Sequence, residues 1–311
     1  MSRRLRPVVS ATRGALSVTA AAALFGSLVV LGKFPATPPL VVALWMNVFA
    51  GIAFLPFLLR HRFRREDAPL IVAIGLFGGA LAPTLFLLGL SLTTSVTAAF
   101  LTTTEAVFTM AIAFGLGERS SVRGYLAMAG LLVGVAVIVT NLDFGQLSLV
   151  GAVVGNLLIL GATLSWSVDN NVSRVLSRRN AVPALVSAKC LLASAFLLPA
   201  VAVTGSSPAF VPTDLSLLLF IGIVVHGVAI WLFYIGLREI GAMRTAALFT
   251  LTAVFGVAGG LIAFRDPVST VQWVAGAAMV ALALVLALET ASPPWRREPP
   301  PEGKTLTKTH Q

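Results

Sequence analysis

The stretch Ile74–Glu118, IGLFGGALAPTLFLLGLSLTTSVTAAFLTTTEAVFTMAIAFGLGE, contains two apolar runs joined by a short polar turn. A similar stretch, Ile221–Arg265, reads IGIVVHGVAIWLFYIGLREIGAMRTAALFTLTAVFGVAGGLIAFR, 147 residues later. An ungapped alignment gives thirteen identities between positions 75 and 112. This composition would give about three or four identities by chance, so the chain contains an internal repeat.

Composition restricts the class of protein. The chain has 311 residues, of which 57% are hydrophobic and 11% charged, and its mean hydropathy is +0.94. A soluble fold has too little interior for so much apolar surface, so the sequence indicates a membrane protein. The net charge of +10 is spread between apolar runs, which argues against a nucleic-acid-binding face. Cys190 is the only cysteine, which excludes a disulfide framework and a cysteine metal site.

The apolar runs predict ten membrane-spanning helices, each long enough for a hydrocarbon core of about 30 Å. Their limits are 15–33, 39–59, 69–89, 93–116, 122–141, 149–171, 181–203, 215–237, 241–264 and 270–288. With the N-terminus inside, nineteen of the 22 lysines and arginines fall in the two tails and the cytoplasmic loops. Lys33 and Arg265 fall outside, and Lys189 lies within a helix. This bias predicts that both termini are cytoplasmic.

Helices 3 and 8 carry the repeat and are five spans apart, so they cross the membrane in opposite directions. The predicted fold is therefore an all-α integral membrane protein of two inverted five-helix repeats, 15–141 and 149–288. Tails 1–14 and 289–311 are predicted to be cytoplasmic, and the proline-rich second tail to be disordered. Inverted repeats allow two equivalent conformations around a midplane site, which is the basis of alternating access in transporters.

Three ionisable residues fall near the middle of predicted spans, where a charge costs about 2.5–3.5 kcal/mol and needs a reason. Glu105 is interpreted as a ligand for a substrate amine, a proton carrier, or a paired structural carboxyl; Thr102, Thr103 and Thr104 offer it hydroxyls. Lys189 binds a substrate carboxylate, neutralises Glu105, or extends toward the cytoplasm. His226 either titrates or stays neutral on a backbone carbonyl.

Further polar and aromatic residues extend this candidate site. Asn47 is expected to join helices or to face the cavity, and Trp166 is an aromatic candidate for its wall, beside Phe25, Trp231 and Tyr234. Asp169-Asn170-Asn171 is interpreted as a solvated helix end rather than as a substrate contact. Pro83, Gly78 and Gly227 interrupt the two repeated helices at matched places, and such interruptions indicate hinges near a binding site.

Several short motifs give the chain a family resemblance. They are Phe25-Gly26-Ser27, Gly89-Leu90 with Thr94-Ser95, Val107-Phe108-Thr109, Gly117-Glu118, and Gly130 with Gly134. Residues 15 to 288 thereby resemble an EamA-type member of the drug/metabolite transporter superfamily. The sequence departs from the family pattern at Ala106 and Ala253, where proline is common, at Phe264-Arg265 in place of Gly-Glu, and at Asn47 in place of arginine. The resemblance implies an exporter of small metabolites such as amino acids, a uniporter or proton antiporter, in a prokaryotic cytoplasmic membrane.

Two other functions remain open at the sequence level. One is a flippase of similar build for lipid-linked substrates, and a remote one is an intramembrane enzyme. The sequence has neither H-E-x-x-H nor G-x-S-x-G, and it has no P-loop, so we expect no enzyme, cofactor or metal site. The expected partners are a small-molecule substrate, membrane lipids and protons, without nucleic acid; the oligomeric state is left open.

Overall fold

The computed structural model describes residues 5–116, 122–140 and 150–288, and the regular structure in these ranges is entirely helical. We number the helical segments α1 to α10 and join successive helices when no residue between them has an extended conformation or a positive φ. The segments are α1 (Leu5–Leu31), α2 (Pro39–Ala53 and Leu55–Leu59), α3 (Ala68–Ala73, Ile74–Leu81 and Ala82–Leu92), α4 (Ser95–Leu101 and Thr104–Gly115), α5 (Val122–Thr140), α6 (Val150–Arg179), α7 (Val182–Val203), α8 (Leu215–Phe220, Ile221–Val228 and Ala229–Glu239), α9 (Ala242–Phe249 and Thr252–Phe264) and α10 (Thr270–Leu288).

Six helical stretches in the described residues are long and apolar enough to cross a membrane. They lie in α1, α3, α4, α7, α8 and α9, and their mean hydropathies range from 1.5 to 2.4. Their outward faces carry large apolar side chains such as Leu16, Leu198 and Ile262, all more than half exposed. Such faces are stable against lipid, and the fold is that of a multi-pass membrane protein.

The internal repeat is reproduced in the backbone at single-residue register. In α3, a π-helical stretch, Ile74–Leu81, is followed by the α-helix Ala82–Leu92. In α8, the π-helical stretch Ile221–Val228 is followed by Ala229–Glu239, so every boundary is displaced by 147 residues. A π-helix is rare and needs local support. Its occurrence at the same place in both halves indicates that it is part of the repeated unit.

Each π-helix lies where its segment changes packing partner. The π-helical part of α3 contacts both α7 and α6, whereas its final α-helix packs mainly against α6. In α8, the π-helical part contacts both α2 and α1, whereas the final α-helix packs mainly against α1. Close approach between α3 and α6 depends on small residues, since a Cβ on Gly89 would lie 2.7 Å from the Gly155 carbonyl oxygen. The two halves are therefore interleaved rather than side by side.

Two aspartates, which we call the aspartate anchors, bind α3 and α8 to the opposite half at matched positions. Asp67, just before α3, accepts a hydrogen bond from Asn180 Nδ2 at 3.0 Å, and Asn180 lies two residues before α7. Asp214, just before α8, accepts from Thr37 N at 2.8 Å and Thr37 Oγ1 at 2.6 Å, and Thr37 lies two residues before α2. Both carboxyl groups are buried. Each anchor thus links one half to the other.

Helix limits differ from the sequence-based limits in two places that matter. Segment α1 begins at Leu5, ten residues before the predicted limit of the first helix at residue 15. Segment α6 continues to Arg179, beyond the predicted end at residue 171. The apolar run of the sequence ends before the helix does, because the last part of α6 carries polar side chains. These side chains form hydrogen bonds with other helices, so this part of α6 does not have to be apolar. The predicted tail 289–311 lies outside the described residues.

Candidate functional site

A small cavity of about 40 Å³ lies between the two halves of the protein. It has room for only a few water molecules. Segments α1, α3 and α4 of the first half and α6 to α9 of the second half contribute its walls. Its polar lining consists of Glu105, Asp169, Asn170, Lys189, His226 and Tyr234. Thus the three ionisable residues singled out in the sequence converge on one place.

Glu105 is buried at the start of the second helix of α4, Thr104–Gly115. Its Oε1 accepts a hydrogen bond from Asn170 Nδ2 at 2.7 Å, and the same amide nitrogen lies 3.2 Å from Thr109 Oγ1. The carboxyl is therefore oriented by α6.

The threonines before Glu105 do not serve as its hydrogen-bond donors. The hydroxyls of Thr102, Thr103 and Thr104 donate to the carbonyl oxygens of Ala99, Phe100 and Leu101, at 2.6 to 2.7 Å. This back-bonding satisfies the hydroxyls locally, where α4 breaks between Leu101 and Thr104. Thr103 is fully buried and does not line the cavity, and its hydroxyl is not the donor to Glu105. Its contact with a substrate stays a prediction.

Lys189 forms a buried ion pair with Asp169, not with Glu105. Its Nζ donates to Asp169 Oδ2 at 2.5 Å and lies 5.3 Å from the centre of the Tyr234 ring. The other carboxylate oxygen of Asp169 accepts from Ser173 Oγ at 2.8 Å and Tyr234 Oη at 3.2 Å. The ion pair, the hydroxyls and the ring together stabilise two charges that would otherwise be costly in this environment.

The ion pair corrects two sequence-based interpretations. Asp169 was assigned to a solvated helix end, but its relative exposure is 3% and α6 continues ten residues beyond it. Lys189 does not neutralise Glu105 and does not extend toward the cytoplasm, because Asp169 holds it. The sequence carried only a weak signal for Asp169: it follows directly on the apolar stretch of its helix, and the next helix, which is apolar, contains Lys189.

Asn47 connects the two π-helices. Its Nδ2 donates to the carbonyl oxygens of Ala43 at 2.9 Å and Gly79 at 3.0 Å, and its Oδ1 lies 3.3 Å from His226 Nε2. Gly79 and His226 occupy equivalent positions of the repeat, since they are 147 residues apart. Pro83 explains the contact with Gly79. Proline has no N–H that could donate to the Gly79 carbonyl oxygen four residues earlier, and Asn47 Nδ2 donates to that oxygen instead.

The candidate hinge residues lie at these same π-helices. Gly78 faces Asp169, and a side chain there would collide with the carboxylate. Gly227 packs beneath Phe54 and Ala50 of α2, where a Cβ would lie 3.1 to 3.2 Å from their side chains. Glycine therefore permits close approach at both positions, and both adjoin the place where α3 and α8 change packing partner.

Aromatic side chains form the apolar wall of the cavity. Phe25 packs edge-on against Trp166 with ring centres 5.0 Å apart, and it lies 5.4 Å from Phe249. Phe249 in turn contacts Phe233 at 4.7 Å. Trp231, considered at the sequence level, instead contacts Phe54 away from the cavity. The cavity thus combines a charged side with an aromatic side.

The described residues contain no cluster of three or more His, Cys, Asp or Glu side chains that could hold a metal ion. The polar groups of the cavity comprise a carboxyl group, an ion pair and an imidazole, and aromatic rings enclose them.

Comparison with known proteins agrees with this arrangement. The model of the EamA-like transporter family matches residues 12–140 and 153–288, one match for each half. The chain belongs to the EamA-like transporter family. It is therefore a membrane transporter of two repeated units, and its family implies a small-molecule substrate.

Two individual proteins are similar to this EamA-like chain. An uncharacterized transporter of Methanothermobacter thermautotrophicus is 29% identical over 226 residues, covering 72% of this chain and 66% of the relative, slightly under two thirds. A protein of known crystal structure superposes with a TM-score of 0.65 at 21% identity, covering 88% of this chain and 97% of that one. The second likeness concerns the fold alone.

Proposed function

We propose that this EamA-like protein is a secondary transporter that exports a small polar or amphipathic organic molecule by alternating access. The observation that supports this most directly is the contact of Asn47 with both π-helices beside a small, charged cavity. A rigid binding pocket would not need two matched interruptions of its helices. In a transporter they allow α3 and α8 to bend around the site.

The proposed topology has all ten segments crossing the membrane, with the two halves inverted. The four segments outside the six long apolar stretches are α2, α5, α6 and α10; α6 directs its polar residues into the protein, and the others are apolar. Both termini lie in the cytoplasm of a prokaryotic cell, as the distribution of lysine and arginine favours. Cysteine labelling of both termini tests this orientation.

The proposed motion separates two packing units. The leading parts of α3 and α8 stay with α7 and α2, where the aspartate anchors hold them, while their trailing parts move with α6 and α1. Bending at Gly78 and Gly227 would widen the cavity toward one face at a time. The cavity of about 40 Å³ holds only a few water molecules, so it has to widen before an organic substrate can bind.

Glu105 is the proposed contact for the substrate and for a coupling proton. It lines the cavity, and its amide partner Asn170 comes from the opposite half, so its environment changes when the halves move. Glu105 binds the substrate in both uniport and proton antiport, and the dependence of flux on the pH gradient distinguishes the two mechanisms. Flux that is unchanged when the pH gradient is collapsed would exclude proton coupling.

Counterflow in proteoliposomes with a panel of amino acids and sugars tests the transport function. Glu105→Gln keeps the size of the side chain and removes its charge, so we expect flux to fall by at least about tenfold while expression is unchanged. Glu66→Gln is the matched control, because Glu66 is exposed and paired only with Arg64. Normal flux in Glu105→Gln would remove Glu105 from the site.

A further inference from the structure

The cavity holds one acidic group without a basic partner. Lys189 and Asp169 neutralise one another at 2.5 Å. Glu105 receives a hydrogen bond from Asn170, but no basic side chain in the described ranges forms an ion pair with it. A buried carboxylate without a counterion is costly. The site as built therefore favours a ligand or proton that brings positive charge to Glu105.

His226 adds a second unused acceptor. The Nδ2 of Asn47 donates to two carbonyl oxygens, so its Oδ1 is the acceptor for His226, and the hydrogen of the imidazole lies on Nε2. His226 Nδ1 is consequently an acceptor. It is buried and has no hydrogen-bond partner among the described residues. His226 and Glu105 line the same small cavity.

Most hydrogen-bond donors of the cavity are already in use. Lys189 Nζ donates to Asp169, and Asn170 Nδ2 donates to Glu105 and Thr109. A carboxylate or phosphate would find its remaining donors at Lys189 Nζ, beside the negative charge of Asp169, and would add negative charge to a cavity that already contains Glu105. A ligand that offers several N–H groups instead meets two acceptors, Glu105 and His226 Nδ1. The rings of Phe25 and Trp166 suit an apolar body and attract a nearby cation.

We propose that the substrate is an amphipathic primary amine whose ammonium group binds Glu105 and His226 and whose apolar part contacts Phe25 and Trp166. This inference rests on the proposed transport function and narrows its substrate class. It excludes free carboxylates and phosphates as the preferred substrates. It also ranks zwitterionic amino acids below the corresponding amines, since their carboxylate would compete with Asp169 for Lys189.

Three ligands with the same phenyl ring test the proposal: phenethylamine, phenylalanine and 3-phenylpropionate. Their affinities are measured by titration of the purified full-length protein in detergent, followed by tryptophan fluorescence. We expect phenethylamine to bind at least about tenfold more tightly than the other two, as charge-assisted hydrogen bonds predict. Glu105→Gln should abolish this preference, and Glu66→Gln should retain it.

The outcomes separate this proposal from the transport function. Tighter binding of phenylalanine or phenylpropionate, or no saturable binding of phenethylamine, would overturn the amine assignment. If proteoliposomes then carry phenylalanine or the acid, transport stands without the amine. If phenethylamine binds with the expected preference but none of the three compounds crosses the membrane, the binding site stands and the transport proposal is wrong.

Discussion

At the repeat position where α3 has Gly79, α8 has His226, although both lie in π-helices of eight residues. Pro83 is likewise replaced by Ile230, and Glu105 by Thr252, whose buried hydroxyl has no partner among the described residues. The backbone has thus been kept in both halves while the polar side chains have changed. Backbone symmetry provides the matched bends, whereas the side chains that recognise a ligand do not have to be symmetric.

The polar side chains of the cavity come mainly from the second half. Asp169, Lys189 and His226 all belong to it, and Glu105 is the one ionisable group that the first half contributes to the lining. Glu105 is nevertheless held by Asn170 of the second half. The halves therefore depend on one another at the site. Three sets of variants compare a contact within the second half with contacts between the two halves.

The largest effect is expected from the ion pair inside the second half. Lys189→Met leaves Asp169 buried without a counterion, and we expect unfolding to become easier by about 3–5 kcal/mol. The double variant Asp169→Asn with Lys189→Met removes both charges and should recover most of the loss. Thermal unfolding of the purified protein in detergent measures both. Equal stability of the single and double variants would show that the pair does not act as a unit.

An intermediate effect is expected at the junction of the two halves. Asn47→Leu removes the donor of the Gly79 carbonyl and the partner of His226, which should cost about 2–3 kcal/mol because two buried polar groups lose their partner. Pro83→Ala restores an N–H four residues after Gly79 and makes α3 resemble α8, which has Ile230 there. Added to Asn47→Leu, it should recover about half of the loss. Thermal unfolding checks both variants, and no recovery would mean that the Gly79 carbonyl is not the group left unsatisfied.

The sequence predicted the repeated unit well because its signal is local. Hydrophobic runs, the offset of 147 residues and the matched interruptions near Gly78 and Gly227 can all be read without knowing which helices touch. Family membership and the membrane class followed from the same features. The π-helices themselves were not predicted, because Pro83 occurs in only one half and α8 forms the same backbone without proline.

The partners within the site could not be predicted in the same way. Whether Lys189 pairs with Glu105 or Asp169 depends on the rotation of α6 and α7, which apolar periodicity does not fix when helices are buried on several sides. Asp169 was misassigned for a related reason: the polar end of α6 looks solvated in sequence and is buried in the fold. Convergence of Glu105, Lys189 and His226 was expected from depth alone.

The smallest effect is expected at the aspartate anchors, which differ in how many donors depend on each carboxylate. Asp214→Ala leaves the backbone N–H and hydroxyl of buried Thr37 without their acceptor, so we expect a loss of about 2 kcal/mol. Asp67→Ala should cost only about 1 kcal/mol. Asn180 Nδ2 keeps a second acceptor, the Leu176 carbonyl oxygen, and Arg179, which pairs with Asp67, is half exposed to solvent. Glu66→Ala, an exposed neighbour of Asp67, is the control and should change thermal unfolding little. If Asp67→Ala proved more destabilising than Asp214→Ala, the number of donors would not decide the strength of an anchor. The anchor between α3 and α7 would then depend on more than the contacts of Asp67 with Asn180 and Arg179.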